Sequence, residues 1–389
     1  MLDWVWLLAL GIQPGYDVVS VDVTHPHRRL TRVEYVVQAG NSPLNRFSVT
    51  HVRRREGNSR GAPLVLLSPF ALPGAFYEVS ENSRYEDSLA GRLAESRHDV
   101  WLVDQRRSGL APGDCESGAV DCSEMLEWNT DAYVSDALLV STFAHLLSGK
   151  KPVLGGFSAG ANNAIATINR APHRFSGLFV YEGSFYSEDP VVIEHNEGAC
   201  AQLEDILAGG VGYDPTTGLI RLVVTLAAAD PNGLSPIPLF PPGTTNQQAL
   251  LFVFSAPPPP GALSPTPNFV RNLGDFSTFQ FIHANQDRLE LVGPMFDNYA
   301  SVPALRDLAC GLAGEDDQYY DNLDEFRGDV LMFLGGTGFG QSMHDTASLM
   351  TRARSITVDE RPEFGEADAY FHHDWVHEFY EPLVDWLDD

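Results

Sequence analysis

The stretch Val153-Leu154-Gly155-Gly156-Phe157-Ser158-Ala159-Gly160-Ala161-Asn162-Asn163 is an apolar run that breaks on a serine set between glycines. The helix-permissive segment Ala161 to Arg170 follows it. This order predicts a strand, a sharp turn and a helix. Gly156-Phe157-Ser158-Ala159-Gly160 fits the G-x-S-x-G pattern, in which the serine takes a strained backbone position and small neighbours let strand and helix approach closely. The hydroxyl is then pushed out at the top of a sheet. The helix points its positive end back at the turn, where the Ala159 N–H is placed to donate to an oxyanion formed on Ser158. Ser158 is therefore the expected nucleophile; the plainer alternative is an ordinary glycine-rich turn.

The 389 residues suffice for a full core and a second, smaller domain. Hydrophobic content of 44% and charged content of 20% describe a globular chain. A net charge of −27 argues against nucleic acid and anionic membrane surfaces as partners, since both need basic patches. Lys150 and Lys151 are the only lysines. No stretch is long and apolar enough to span a bilayer.

Four cysteines fall as two plausible pairs. Cys115 and Cys122 bracket a short loop, and Cys200 and Cys310 lie far apart within one irregular region. Three pairings are open, with four buried free thiols as the alternative; no His/Cys spacing fits zinc. Two disulfides place the protein in an oxidising compartment, extracellular or periplasmic. The N-terminus should then carry an export signal. Trp4 to Leu10 is apolar, but Asp3 stands where a positive residue is expected and no cleavage site is clear.

Around the opening stretch the chain alternates. Val33 to Gln38 and Arg46 to Arg54 flank a turn at Asn41-Ser42-Pro43 and predict a hairpin. Pro63 to Leu67 and Asp99 to Asp104 predict buried strands on either side of helical spacing at Leu89 and Leu93. Asp131 to Leu147 predicts a helix, and Gly177 to Tyr181 another strand, ending on Glu182-Gly183. Such alternation predicts a parallel sheet with right-handed crossovers. From about Ser184 to Phe326 it fails, with proline-rich loops at Pro236 to Pro242 and Ala256 to Gly261. The region predicts a cap inserted into the core, and its acidic end from Glu315 to Glu325 a solvated linker rather than a calcium site. The alternation resumes at Asp329 to Gly336, a helix near Met343 to Arg352, a strand at Ser355 to Val358, a loop with His372 and His373, and a last helix. The expected organisation is an N-terminal extension over 1–29, a core over 30–183 and 328–389, and a cap over 184–327.

A serine hydroxyl is inert at neutral pH without a base, and the base needs an acid to fix its tautomer. In the order nucleophile, acid, histidine, the base belongs on the loop after the last strand. His372 is the expected base and His373 the alternative.

The chain resembles an α/β-hydrolase, a mostly parallel twisted sheet with helices on both faces. Tyr370-Phe371-His372-His373-Asp374-Trp375 and the helix behind it are similar to the C-terminal signature of the acid (gastric-like) lipases, and Val65 to Phe70 lies where those lipases have a strand ending in His-Gly. The resemblance covers the core and not the cap. It implies His372 as base, and it implies a second oxyanion donor at the N–H of Phe70 or Ala71, where Pro69-Phe70 replaces His-Gly. It also implies an aspartate after the seventh core strand, where this chain has Gly335-Gly336-Thr337-Gly338. Glu182 is a physical substitute, 24 residues after Ser158 and at the end of the next strand. The haloalkane dehalogenase branch also places a glutamate after this strand. Asp345 is the rival acid.

The expected activity is hydrolysis of a small-molecule or lipid-like carboxylic ester, with no cofactor and no metal. A peptidase or amidase on the same scaffold and a catalytically silent binding protein are the alternatives.

Overall fold

A computed structural model describes residues 15–57, 59–106, 110–253, 284–336 and 338–389, with the backbone of 270–271 and 280–281. Trp4 to Leu10, Arg107, the prolines from 257 to 260 and Thr337 lie outside the described residues.

Nine strands form one sheet: β1 (Tyr16–Thr24), β2 (Leu30–Ala39), β3 (Arg46–Arg54), β4 (Leu64–Leu67), β5 (Val100–Val103), β6 (Val153–Phe157), β7 (Gly177–Tyr181), β8 (Asp329–Gly335) and β9 (Ser355–Arg361). Their order across the sheet is β1-β2-β3-β5-β4-β6-β7-β8-β9. The six from β5 to β9 in that order run parallel, and β1, β2 and β3 join antiparallel at one side. Strands β4 to β7 are buried along their whole length, which explains their unbroken apolar runs. Side-chain alternation divides two cores between the faces: Val65 and Leu67 pack with Leu154 and Val180 on one, Leu64 and Leu66 with Leu102 and Phe179 on the other.

The connecting helices are α1 (Leu89–Glu95), α2 (Thr130–Ser148) and α3 (Ala159–Arg170). Local chemistry ends them: the Ser88 hydroxyl accepts from the Gly91 N–H at the start of α1, and α2 opens on an Asn129 cap and closes on Gly149 at φ 70°. Between β7 and β8 the described chain passes through α4 (Pro190–Ala208), α5 (Thr217–Ala229), α6 (Asn246–Val253), α7 (Gln286–Val292) and α8 (Val302–Leu312). After β8 come α9 (Gly340–Leu349), the short α10 (Asp368–Phe371) and α11 (Glu381–Asp388).

Both disulfides form in the expected pairing. Cys115–Cys122 closes the short loop, and Cys200–Cys310 ties α4 to α8. No described helix is long and apolar enough to cross a membrane.

One boundary differs from expectation. Residues 16–24, expected to lie in an extension, form the edge strand β1, paired with β2 along its length. The Tyr16 hydroxyl donates to the Asp136 carboxylate on α2 at 2.7 Å, and Arg106 meets the same carboxylate at 2.9 Å. The alternating valines of this segment gave a strand signal, but its exposed face gave no core signal to go with it.

Candidate active site

Ser158 stands at the turn between β6 and α3 with φ 53° and ψ −123°. This is a sparsely populated conformation for a residue with a Cβ, and the surrounding backbone holds it there. The Ser158 N–H donates to the Tyr181 carbonyl at 2.9 Å, and its own carbonyl accepts from the Asn162 N–H at 3.0 Å. The glycines of the motif serve close approach. A Cβ on Gly160 would collide with the Leu67 and Ser68 carbonyls, and one on Gly156 with the backbone of Gly160. Strand, turn and helix can meet at this distance only with hydrogen at both positions.

The loop after β4 reaches the same place. Pro69, Phe70 and Leu72 line a cavity with Ser158 and Ala159, and Ala71 sits at φ 53°. The loop is fixed from behind: the Gln105 N–H donates to the Ser68 hydroxyl at 3.0 Å, the Tyr77 hydroxyl to the Leu67 carbonyl at 2.8 Å, and the Asp297 N–H to the Ala71 carbonyl at 2.8 Å.

The cavity measures about 320 Å³. Its wall on the sheet side includes Phe157, Phe339 and Phe371; the segment between β7 and β8 adds Ile220, Leu289, Phe296, Leu305 and Leu308. Gln105, Asn162 and Asn163 supply neutral polar edges. Among the described residues that line it, Glu366 is the one carboxyl, and no histidine takes part.

Glu366 lies on the loop after β9. Its side chain is half-buried and faces the cavity that Ser158 also lines. Burial pushes its carboxyl up to about 7, against the pull of the Ser158 hydroxyl; the negative charge of Asp368 adds to the rise. Asp368 holds the loop in shape by accepting the Gly365 N–H at 2.7 Å.

Glu182 sits at the end of β7 with φ 52°, fully buried. One carboxylate oxygen accepts the Gly335 N–H and the other the Phe339 N–H at 2.8 Å. It thus spans to the end of β8, beside the position where the resemblance implied an aspartate. Space is left for it by Gly338, since any Cβ there would overlap the carboxylate. Burial pushes Glu182 up to about 8; its two backbone donors pull it down, and the charges of Glu366 and Asp368 raise it further.

The expected base, His372, follows α10. His372 does not line the cavity. Its ring stacks on His373 at 4.1 Å and lies 5.6 Å from Phe364, its Nδ1 accepts the Asp374 N–H at 3.1 Å, and its backbone bridges Ala284. His373 is exposed. The rival acid Asp345 is engaged on α9, accepting from the Glu188 N–H at 2.7 Å and from Gln341 at 2.9 Å, and it does not line the cavity. After β9, residues 362–367 bring Glu366 and Ala367 to the cavity, and α10 follows with Phe371 on the cavity wall. The Tyr370 hydroxyl donates to the Phe76 carbonyl at 2.8 Å, and the Arg288 guanidinium lies 4.2 Å from the Tyr370 ring and 4.3 Å from the Trp375 ring. The aromatic residues that resembled a lipase signature serve packing. The sequence does carry a signal for Glu366: an acidic side chain on the first loop after the last strand.

Among the described residues, Cys200, Glu204 and Cys310 form the one group with the spacing of metal ligands, and the disulfide removes both thiolates from that role.

The chain has an α/β-hydrolase fold. A Sulfolobus solfataricus protein provisionally described as a lipase superposes with a TM-score of 0.66 at 16% identity, over 95% of this chain and 99% of that one. At that identity the likeness is one of fold. The thioesterase domain from the curacin biosynthetic pathway (TM-score 0.48, 10% identity, 95% and 99% covered) and a thermophilic esterase from Thermogutta terrifontis (0.43, 14%, 89% and 95%) also match. No protein-family model matches the chain, and no curated protein matches it in sequence.

Proposed function

We propose that the protein is a serine hydrolase that cleaves carboxylic esters through an acyl-enzyme on Ser158. The observation that carries this reading is the backbone of Ser158 at φ 53° and ψ −123°, at the N-terminus of α3 and facing an enclosed apolar cavity. A strained, pre-set nucleophile at a helix N-terminus is what acyl transfer needs, because charge developing on the carbonyl oxygen meets backbone N–H donors already in place. Those donors are the N–H of Ala159 and one from the Phe70-Ala71 loop, whose tethers to Gln105, Tyr77 and Asp297 keep it rigid.

The cavity supports the substrate class. Its volume takes a short acyl or alcohol group, its walls are aliphatic and aromatic, and its one described carboxyl disfavours an anionic substrate. The segment 184–327 acts in this reading as the cap that chooses the substrate, and Glu182 as a buried carboxyl that positions the site from behind. The two disulfides suit a protein working in an oxidising compartment, outside the cytoplasm.

One observation favours a second reading, a silent hydrolase-like binding protein: the described lining holds no histidine. Turnover decides between them. A panel of p-nitrophenyl esters of increasing chain length, with aminoacyl p-nitroanilides beside it, should show hydrolysis of short and medium neutral esters and little amide cleavage. Faster cleavage of the anilides supports a peptidase, and no turnover of either supports the binding protein.

A further inference from the structure

We infer that Glu366 is the general base of this site, accepting the Ser158 proton directly where related folds are served by an imidazole. The inference rests on the ester-hydrolase reading above. Its ground is placement. Glu366 and Ser158 line one cavity, near enough for the Ser158 hydroxyl to act on the carboxyl, and the loop carrying it leaves the last strand of the sheet and is pinned by Asp368 and Tyr370. His372 follows α10 in the chain and is not among the described residues that line the cavity.

The step balances without a histidine. As the Ser158 oxygen bonds to the ester carbonyl carbon, its proton passes to the Glu366 carboxylate and the carbonyl π pair moves onto oxygen, facing the N–H donors. Collapse of that intermediate breaks the bond to the alkoxide, which takes the proton from Glu366. Water then attacks the acyl-enzyme, gives a proton to Glu366, and the second collapse returns the proton to Ser158 as the acid leaves. Glu366 ends as it began.

A carboxylate of ordinary acidity is too weak a base for this work. The site corrects that: burial and the negative charge of Asp368 raise Glu366 to about 7, near the optimum for proton transfer at neutral pH. Among the described residues the charged groups facing it are Asp368 from its own loop and Glu182 from the end of β7. Glu182 is buried more deeply, and burial raises its carboxyl too, up to about 8. Glu182 and Asp368 are positioning residues.

The test uses the whole protein and p-nitrophenyl butyrate, with a fluorophosphonate probe beside it. Wild type should hydrolyse the ester with kcat/KM rising with pH through a single ionisation near 7. Glu366→Gln, close in shape and neutral, should retain its thermal unfolding transition and lose roughly 100-fold or more in kcat, with the ionisation gone from the profile. A readout independent of substitution is temperature. A carboxyl ionises with almost no enthalpy, so the apparent ionisation of wild type should stay in place on warming, whereas that of a histidine falls. The inference is overturned if Glu366→Gln turns over within about three-fold of wild type while His372→Ala abolishes turnover, or if the apparent ionisation falls on warming. Wild type that neither hydrolyses the ester nor takes the probe overturns the ester-hydrolase reading itself, and the base with it.

Discussion

The elbow at Ser158 and the loop over 362–373 meet at one cavity but are held by different means. The elbow is fixed from within: hydrogen at Gly156 and Gly160 lets β6, the turn and α3 close on one another, and the backbone has one way to pass. The loop is fixed from outside. Its anchors are the Gly336 N–H on the Arg361 carbonyl at 3.0 Å, the Tyr370 N–H on the Tyr181 hydroxyl at 3.2 Å, and the Tyr370 hydroxyl on the Phe76 carbonyl, all reaching distant parts of the chain. A local steric rule places the nucleophile, and a tertiary framework places what stands opposite it. The first tolerates almost no change in its own residues; the second yields in proportion to the anchor removed.

The largest effect tests what the elbow is for. Ser158→Ala should leave the fold intact and lower kcat on an activated ester by about 10⁴-fold or more, measured by p-nitrophenolate release. An unchanged rate would move the chemistry elsewhere. Next comes the steric rule itself. Gly160→Val should cost roughly 3 kcal/mol or more in urea unfolding, because branched carbons meet the Leu67 and Ser68 carbonyls; a cost under about 1 kcal/mol would mean that the elbow is looser than described.

Glu182 sharpens the comparison through pH. Its carboxyl ordinarily titrates near 4.5 and in the folded protein is pushed up to about 8. The folded state therefore prefers the protonated form. Its contribution to stability is fully present below about 4.5 and is lost progressively as pH rises to about 8. Glu182→Gln cannot ionise, so its urea midpoint should fall less than that of wild type over this window. Equal falls would show that Glu182 is already ionised throughout. The smallest effect concerns the loop's outer anchor. Tyr370→Phe leaves the buried Phe76 carbonyl without that donor and should cost about 1–3 kcal/mol, with a loss of less than about ten-fold in kcat/KM as the loop slackens.

The same division explains what could be read from the sequence. Everything local was legible: the strand-turn-helix at Ser158, the buried runs of β4 to β7, the disulfide partners and the position of Glu182 all follow from short patterns. The base was not. A histidine pair six residues past Glu366 matched a familiar order of residues, but the segment that carries it is seated by Tyr370 and Trp375 against Arg288. Arg288 is remote in sequence from both aromatics, and no periodicity within residues 362–389 encodes it. Likewise β1 shows its alternation, but Asp136, which binds Tyr16, lies 120 residues away.

The central claim is that Ser158 is an activated nucleophile, and covalent labelling tests it most directly. Folded protein treated with a fluorophosphonate, digested and mapped by mass spectrometry should carry one adduct, on the peptide containing Ser158, that disappears in Ser158→Ala and on prior unfolding. An absent adduct, or one on another residue that survives Ser158→Ala, would contradict the account.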